Sequence, residues 1–506
     1  MANSKDFQLY VRDQGGRTLL LLLLFAVAIY SLVTSGFSAF AVVCLSPLLL
    51  LVMLLSLQHH MFAFWALIGI NYIVQWHSAP LPQGIPISIY NELLEIILIA
   101  LAVIDASEAR FERTANLMLY ALLVWCGFCT LEVLNDTCGI GIDIGGWYTA
   151  ARMMAFQLMY AFLVYTLYIT TPRRLVTYLY VWAALSLFAV FWVWKQKNFG
   201  LTPTENAWLQ TRGRSTHILA GGTLIRYFSV YSDAANFGIG IAATAVAFII
   251  FGITTRLRRH RVLFLAVGAL CAWAMFPSGT RTATFCLIAG LMAYIFLSKS
   301  VRIAIPFTTV FAVAVGLLAF TTIGNSNQQI RRMRSAFDRS DASASARSIN
   351  QEAMKKYMRE APWGIGMNIG YQNVPANNKY TFMATVPPDS EYVFIWIHTG
   401  IIGITIFLIC TALMLAAACW TVLFRISSPS LRGIGSGFCC AFVAIQLGGY
   451  GNQVLMQFPN CLIFYGGLAL VFTLPYIEGE WVEYERQQLA LEEERKRKRL
   501  EKKKHL

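Results

Sequence analysis

The sequence predicts an all-α polytopic membrane protein of about 12–14 transmembrane helices with a large helical loop near its C-terminal third. Three observations carry that reading. Of 506 residues, 57% are hydrophobic and only 13% charged, against roughly 45–50% and about 25% in soluble proteins. Apolar runs close to the ~20 residues that cross a bilayer recur almost from end to end. The runs are continuous rather than alternating, which excludes a membrane β-barrel. The same figures exclude a soluble enzyme, a disordered chain and a small disulfide scaffold.

In order, the runs are 18–34, 37–57, 61–76, 88–105, 117–134, 148–170, 175–195, 233–254, 262–277, 282–298, 302–322, 391–423, 432–450 and 458–476. The run beginning near Thr18 is followed at once by another, so it is expected to remain as a span and not to be cleaved as a signal peptide. Residues 172–174, 256–261, 299–302 and 424–432 are rich in Lys and Arg. With alternating spans they share one side, and the positive-inside bias makes that side cytoplasmic. Both termini are then cytoplasmic. The same count puts 196–232, the short turn 278–281 and the long connection 324–390 on the outer face. The domains expected are an N-terminal transmembrane bundle at 1–323, a periplasmic loop at 324–390, C-terminal transmembrane helices at 391–476 and a charged cytoplasmic tail at 477–506.

A connection as long as 324–390 beside a compact membrane body is usually functional. It shows helical periodicity at Ile330–Phe337 and Ala353–Tyr357, then a stretch rich in Pro, Gly and Asn. The tail begins acidic (Glu478, Glu480, Glu483, Glu485) and ends RKRKRLEKKK, the pattern of a charged helix whose basic end suits the headgroups of membrane lipids.

The net charge of +14 is accounted for by basic cytoplasmic connections, and no soluble basic face exists to bind nucleic acid. Most of the 11 cysteines sit in apolar runs, where a thiol acts as a small hydrophobe. Cys126 and Cys129 have CxxC spacing but fall inside a span, and Cys138 lies in a loop with its pairing open. No paired CxxC motifs of the kind that hold zinc occur, and no metal or other cofactor is expected.

One feature breaks the charge rule. The outer segments should be poor in cations, yet Arg212, Arg214 and Arg226 crowd the first, Arg281 sits in PSGTRTA, and the long connection carries Arg331, Arg332, Arg334, Arg339, Arg347, Lys355, Lys356, Arg359 and Lys379. Arg331, Arg332 and Arg334 read as a solvated helix face, and Arg359 as a partner of Glu360 or of water. Arg226 and Arg281 lie at membrane edges among small and polar residues. An arginine inside the hydrocarbon costs ~2.5–3.5 kcal/mol, so an anion is expected to offset it. Guanidinium forks suit phosphate, and the anion that matches a greasy body is a lipid-linked phosphate or diphosphate.

Four blocks in order then resemble the O-antigen ligase and polysaccharide polymerase superfamily of membrane glycosyltransferases. They are Arg226 in RYFSVYSDAANFG, the turn Ser278-Gly279-Thr280-Arg281, Arg347 followed by MKKYMREAPWGIGMNIGY, and DSEYVFIWIHTGIIG. The resemblance implies a GT-C-like helical fold in the bacterial inner membrane with a periplasmic active site. It implies a glycan donor linked to undecaprenyl diphosphate and a saccharide or lipid A-core acceptor. It implies inverting, metal-independent transfer by a ligase or a repeat-unit polymerase.

By this resemblance Arg226 and Arg281 clamp the diphosphate, with Arg214 or Arg347 closing from the loops, and Asn236, Glu391 and Tyr392 line the substrate. Trp363 either stacks on a sugar or packs the loop onto the membrane body. The family places a histidine at the acceptor hydroxyl. Aligned without a gap on Tyr392 and Gly400-Ile401-Ile402-Gly403, this chain has Asp389 there, to deprotonate the hydroxyl, to orient it, or to cap the helix after Pro387-Pro388. His398 is nine residues on, ~13.5 Å along a helix and on the opposite face, so it is expected to be structural. Two rivals stand apart. A lipid-linked oligosaccharide flippase would want a charged central path and pseudo-repeated halves, and neither is readable here. A sensing or scaffolding loop without catalysis would leave the interface arginines idle.

Overall fold

The computed structural model describes residues 59–79, 87–104, 111–219, 224–298, 342–368, 374–385 and 390–504, with single positions and short pieces between 19 and 44 and between 305 and 334. By its contacts the chain forms two units, residues 1–67 with 80–87 and residues 68–79 with 88–506. The first holds α1 (Leu22–Thr34) and the beginning of α2 (His60–Ile73). All that follows concerns the second.

The second unit is helical: α3 (Ile87–Ile104), α4 (Leu117–Leu131), α5 (Ile144–Tyr168), α6 (Pro172–Phe199), α7 (Ala234–Thr254), α8 (Arg258–Ala274), α9 (Arg281–Leu297), α10 (Ala342–Met358), α11 (Glu391–Trp420), α12 (Pro429–Gly451) and α13 (Gly466–Lys504). Among the described residues, eight helices are long and apolar enough to cross a bilayer, so the chain is an all-α multi-pass membrane protein. The expected spans 37–57 and 302–322 lie largely outside the described residues. The starts follow from local chemistry. The Asn116 side chain takes the Met118 and Leu119 N–H groups at the head of α4. Thr171 followed by Pro172 opens α6, and Asp233 opens α7. Each satisfies donors that a helix start leaves unpaired.

The core is α7, which packs against α8, α9 and α12. Lipid is as apolar as leucine, so membrane helices associate through close packing of small residues. A Cβ on Gly437 would meet the Phe251 ring at 2.3 Å, and one on Gly290 would meet Val246 at 2.7 Å. Around this contact Trp182 stacks on Phe438 at 6.2 Å and approaches Phe248 at 4.8 Å. Between α3 and α5 the polar groups pair internally: Arg152 bridges to Glu92 at 3.2 Å, Tyr148 donates to Glu92 at 3.0 Å, and Gln157 donates to Glu95.

Two departures from the expected spans matter. The run 391–423 is not one regular helix, because α11 breaks at Gly400 with φ 66° and ψ −169°. The run 458–476 does not stop where the charges begin: α13 continues through Pro475 to Lys504 as one helix. Its charged half lies against the basic connections. Glu478 accepts the Ser427 N–H at 2.7 Å and that of Ser428, Trp481 donates to Ser430 at 3.0 Å, and Glu492 accepts the Arg258 and Arg259 N–H groups at 3.3 Å each. The tail therefore holds the connection that leads into α12 and caps the first turn of α8. At the opposite end of the bundle the segments 135–143 and 362–368 are joined to each other, and 226–233 is joined to 278–280 and to 451–460.

Candidate active site

Three knots of hydrogen bonds build that opposite end. The first is around Arg226. A short hairpin, β1 (Ile218–Leu219) and β2 (Leu224–Ile225), pairs antiparallel and delivers Arg226. Its backbone N–H binds the His217 carbonyl at 2.9 Å. Its guanidinium donates from Nε to the Ser278 carbonyl at 3.1 Å, from one Nη to the Thr216 carbonyl at 2.9 Å, and from the other to Thr280 Oγ1 at 2.9 Å. Thr280 Oγ1 in turn donates to the Ala234 carbonyl at 2.8 Å. Gly279, with φ 59°, provides the left-handed step that lets the chain turn sharply here. Arg281 follows as the first residue of α9, half-buried. Segments 52 positions apart in sequence thus meet at a single turn, with two Arg226 donors on the turn itself and the third on Thr216.

Arg214 belongs to the same neighbourhood. It begins the short helical turn Arg214–His217 and is exposed. His217, which sequence reasoning did not single out, is buried beside it. Its Nε2 accepts the Ala234 N–H at 3.0 Å, so that nitrogen carries no proton, while Nδ1 faces Thr216 Oγ1 at 2.8 Å. Burial, and after it the Arg226 charge, push the His217 pKa down, with Asp233 opposing. His77 was missed as well. It faces the Ser232 carbonyl at 2.9 Å, stacks on Trp208 at 4.3 Å, and is likewise shifted down by burial. Only one sequence signal pointed here: two histidines in or beside polar segments that sit among arginines and tryptophans.

The second knot is the loop 451–460. Asn236, expected at the substrate, is buried. Its amide donates to Ser232 Oγ at 3.0 Å and to the Phe458 carbonyl at 2.9 Å, and its oxygen accepts from Asn460. Ser232 reaches Gln457 at 2.7 Å. Glu391 is buried too and accepts the Leu455 N–H at 2.9 Å. Tyr392 donates to Gln446 at 2.9 Å. Asn452 donates to Thr282, next to Arg281, at 3.3 Å. The structure therefore seats Asn236 and Glu391 against the 451–460 loop and Tyr392 against α12, their polar atoms bonded to neighbouring parts of the chain.

The third knot joins the long connection to the bundle. Among its described residues, Met354, Met358, Ile365, Tyr380 and Met383 form a small apolar cluster with Ile397 of α11. The turn 362–366 enters the break in α11: Ile365 N–H binds the Ile397 carbonyl at 2.9 Å, Gly366 N–H binds that of His398 at 3.1 Å, and Ile402 N–H binds that of Pro362 at 3.2 Å. Helix carbonyls and amides freed by the break are thus answered by the loop, the condition on which irregular backbone is tolerated at membrane depth. Gly364 (φ 81°) and Gly400 (φ 66°) touch, leaving no room for a Cβ on either. His398 is buried with Nδ1 at 2.9 Å from the Phe394 carbonyl, a satisfied core position. Trp363 is 51% exposed, lies over Phe128 at 6.1 Å, and its carbonyl accepts from Asn135 at 2.8 Å. Glu360 pairs with Lys379 rather than with Arg359. Arg347 lies on α10, with only its backbone described, and Asp389 lies outside the described residues. All 11 cysteines are free, Cys138 included.

Comparison with known proteins finds one matching stretch of the chain. No curated protein matches the sequence. Residues 266–408 match a family described as O-antigen ligase, about a quarter of the chain. The stretch takes in the turn 278–281, α10, the glycine turn and the broken α11, and leaves Arg226 outside. Over this stretch the chain is similar to the O-antigen ligase family.

Proposed function

We propose that the protein transfers a glycan from undecaprenyl diphosphate to a saccharide acceptor at the periplasmic face of the bacterial inner membrane. The observation that carries this is the convergence of Arg226 on the turn that presents Arg281. Two guanidinium-bearing segments at one membrane edge suit a diphosphate, which needs dense positive charge only as it leaves. The match to the O-antigen ligase family over residues 266–408 supports the same chemistry.

In this reading Arg281 binds the diphosphate directly. Arg226 adds charge and, with three donors spent on Ser278, Thr216 and Thr280, acts mainly as a positioning residue for the turn. Arg214 and Arg347 complete the cationic rim. The acceptor oxygen bonds to the anomeric carbon as the bond from that carbon to the diphosphate oxygen breaks, inverting the centre. The electron pair leaves on the diphosphate and the hydroxyl proton passes to the Asp389 carboxylate. Charge stabilisation of the leaving group is the principal term, since donors that act on charge developing in the transition state are worth about 10²–10³ in rate each. Asn236, Glu391 and Tyr392 hold the loops that shape the pocket, and Trp363 offers an exposed ring to a sugar.

Replacing Arg281 with Ala tests the clamp in a membrane assay of glycan transfer. Loss of about 10²-fold or more at normal expression is expected, and unchanged transfer removes the clamp. Asp389→Asn tests the proton acceptor: full activity in that variant leaves Asp389 no part in proton transfer. Deleting the gene and resolving surface glycans on a gel separates the two family activities. Loss of all long glycan from lipid A marks a ligase, and single repeats still attached mark a polymerase.

A further inference from the structure

At the end of the bundle that carries the basic connections, a cleft of about 560 Å³ opens between the start of α4, the end of α11 and α13. We propose that it binds an anionic phospholipid, with the headgroup phosphate between Arg113 and Arg425 and the acyl chains along α4 and α11. The inference rests on the membrane fold and is independent of the transfer reaction.

Charge comes first. Arg113 and Arg425 both line the cleft, and among the described residues no carboxylate does. Glu478, two residues beyond Tyr476, is occupied with the Ser427 and Ser428 N–H groups. Arg113 is 2% exposed and held in place: one Nη donates to the Thr170 carbonyl at 3.0 Å, and its guanidinium lies over the Tyr476 ring at 5.6 Å. Arg425, at the end of the turn that closes the α11 span, is exposed and makes no hydrogen bond or ion pair among the described residues. One cation is therefore built in and the other is available.

Position comes second. Trp420 and Tyr476 on the cleft wall are 61% and 49% exposed, the amphipathic rings expected at headgroup level. From there inward, α4 and α11 pack together and turn Leu123, Val124, Ile409 and Leu413 outward, each at least 45% exposed. A free phosphate would use the arginines and leave this apolar wall idle; a phospholipid uses both. Basic pockets between helices on the cytoplasmic side are the recognised setting for such headgroups.

The test is native mass spectrometry of the purified full-length protein. It is released from mixed micelles holding equal amounts of phosphatidylglycerol and phosphatidylcholine with identical chains. Wild type is expected to retain phosphatidylglycerol preferentially. Arg425→Gln should lower that retention about five- to tenfold, the worth of one arginine near a lipid phosphate, without changing thermal unfolding in phosphatidylcholine. Trp420→Ala should weaken both lipids. Excess inorganic phosphate should not displace the lipid. Equal retention of both lipids by wild type, or undiminished phosphatidylglycerol on Arg425→Gln, overturns the proposal. Displacement by inorganic phosphate also overturns it, and makes the cleft a plain anion site.

Discussion

Replacing Gly400 with alanine should disable the protein from a position that touches no proposed reacting group. At φ 66° and ψ −169° the residue holds a conformation that side-chain-bearing residues rarely adopt, worth about 1–3 kcal/mol of strain. The new Cβ would also stand 2.0 Å from the Pro362 carbonyl oxygen and 2.4 Å from the Gly364 nitrogen, both backbone atoms. The turn must then leave the break, and three backbone hydrogen bonds go with it. At roughly 0.5–1.5 kcal/mol each they add about 2–4 kcal/mol. The total, about 3–7 kcal/mol, is comparable with the whole stability of many domains. Thermal unfolding in detergent, together with limited proteolysis of the 359–390 segment, measures it against Gly479→Ala, where a Cβ meets nothing within 4 Å. Equal melting temperatures and equal cleavage of the two variants would refute the claim that the turn seals the helix break.

Four further outcomes are expected. His217→Ala removes the acceptor for the Ala234 N–H and should cost about 1 kcal/mol, measured by thermal unfolding. Because the folded His217 has a pKa below the ordinary 6.5, acid protonates the unfolded chain first. Its stabilising contribution is complete above that value and lost as pH falls below it, so His217→Gln should flatten the unfolding-versus-pH curve on the acid side. Glu391→Ala strands the buried Leu455 N–H and should destabilise by about 1–3 kcal/mol, with melting temperature falling before any catalytic parameter is examined. Glu478→Ala frees the Ser427 and Ser428 N–H groups in the connection before α12, and faster protease cleavage near residues 425–429 is the readout.

Charge and hydropathy made much of this molecule legible. Arg226 and Arg281 stood out because cations at that membrane edge defy the usual bias, and the chain does bring them to one turn. Polarity names a residue that needs a partner, however, and does not say which. Asn236, Glu391 and Tyr392 looked like substrate contacts, yet each spends its polar atoms on nearby chain. Gly400 was invisible because HTGIIG continues an apolar run, and hydropathy does not register a left-handed φ. The helix after Tyr476 was divided at the first charges, although Glu, Lys, Arg and Leu all favour helix and only the solvent changes there. His217 and His77 escaped because their value lies in contacts made across 17 and 155 positions.

The last helix has a consequence for anyone who shortens or extends this chain. It stands about 43 Å beyond Pro475, and its inner face is spoken for by Glu478, Trp481, Glu485 and Glu492. Trimming just past Pro475 would discard four anchors at once and loosen α12, which packs on α9. A tag or fluorescent protein fused after Lys504, by contrast, rides at the far tip of a mast, at the end of the bundle away from Arg226 and Arg281.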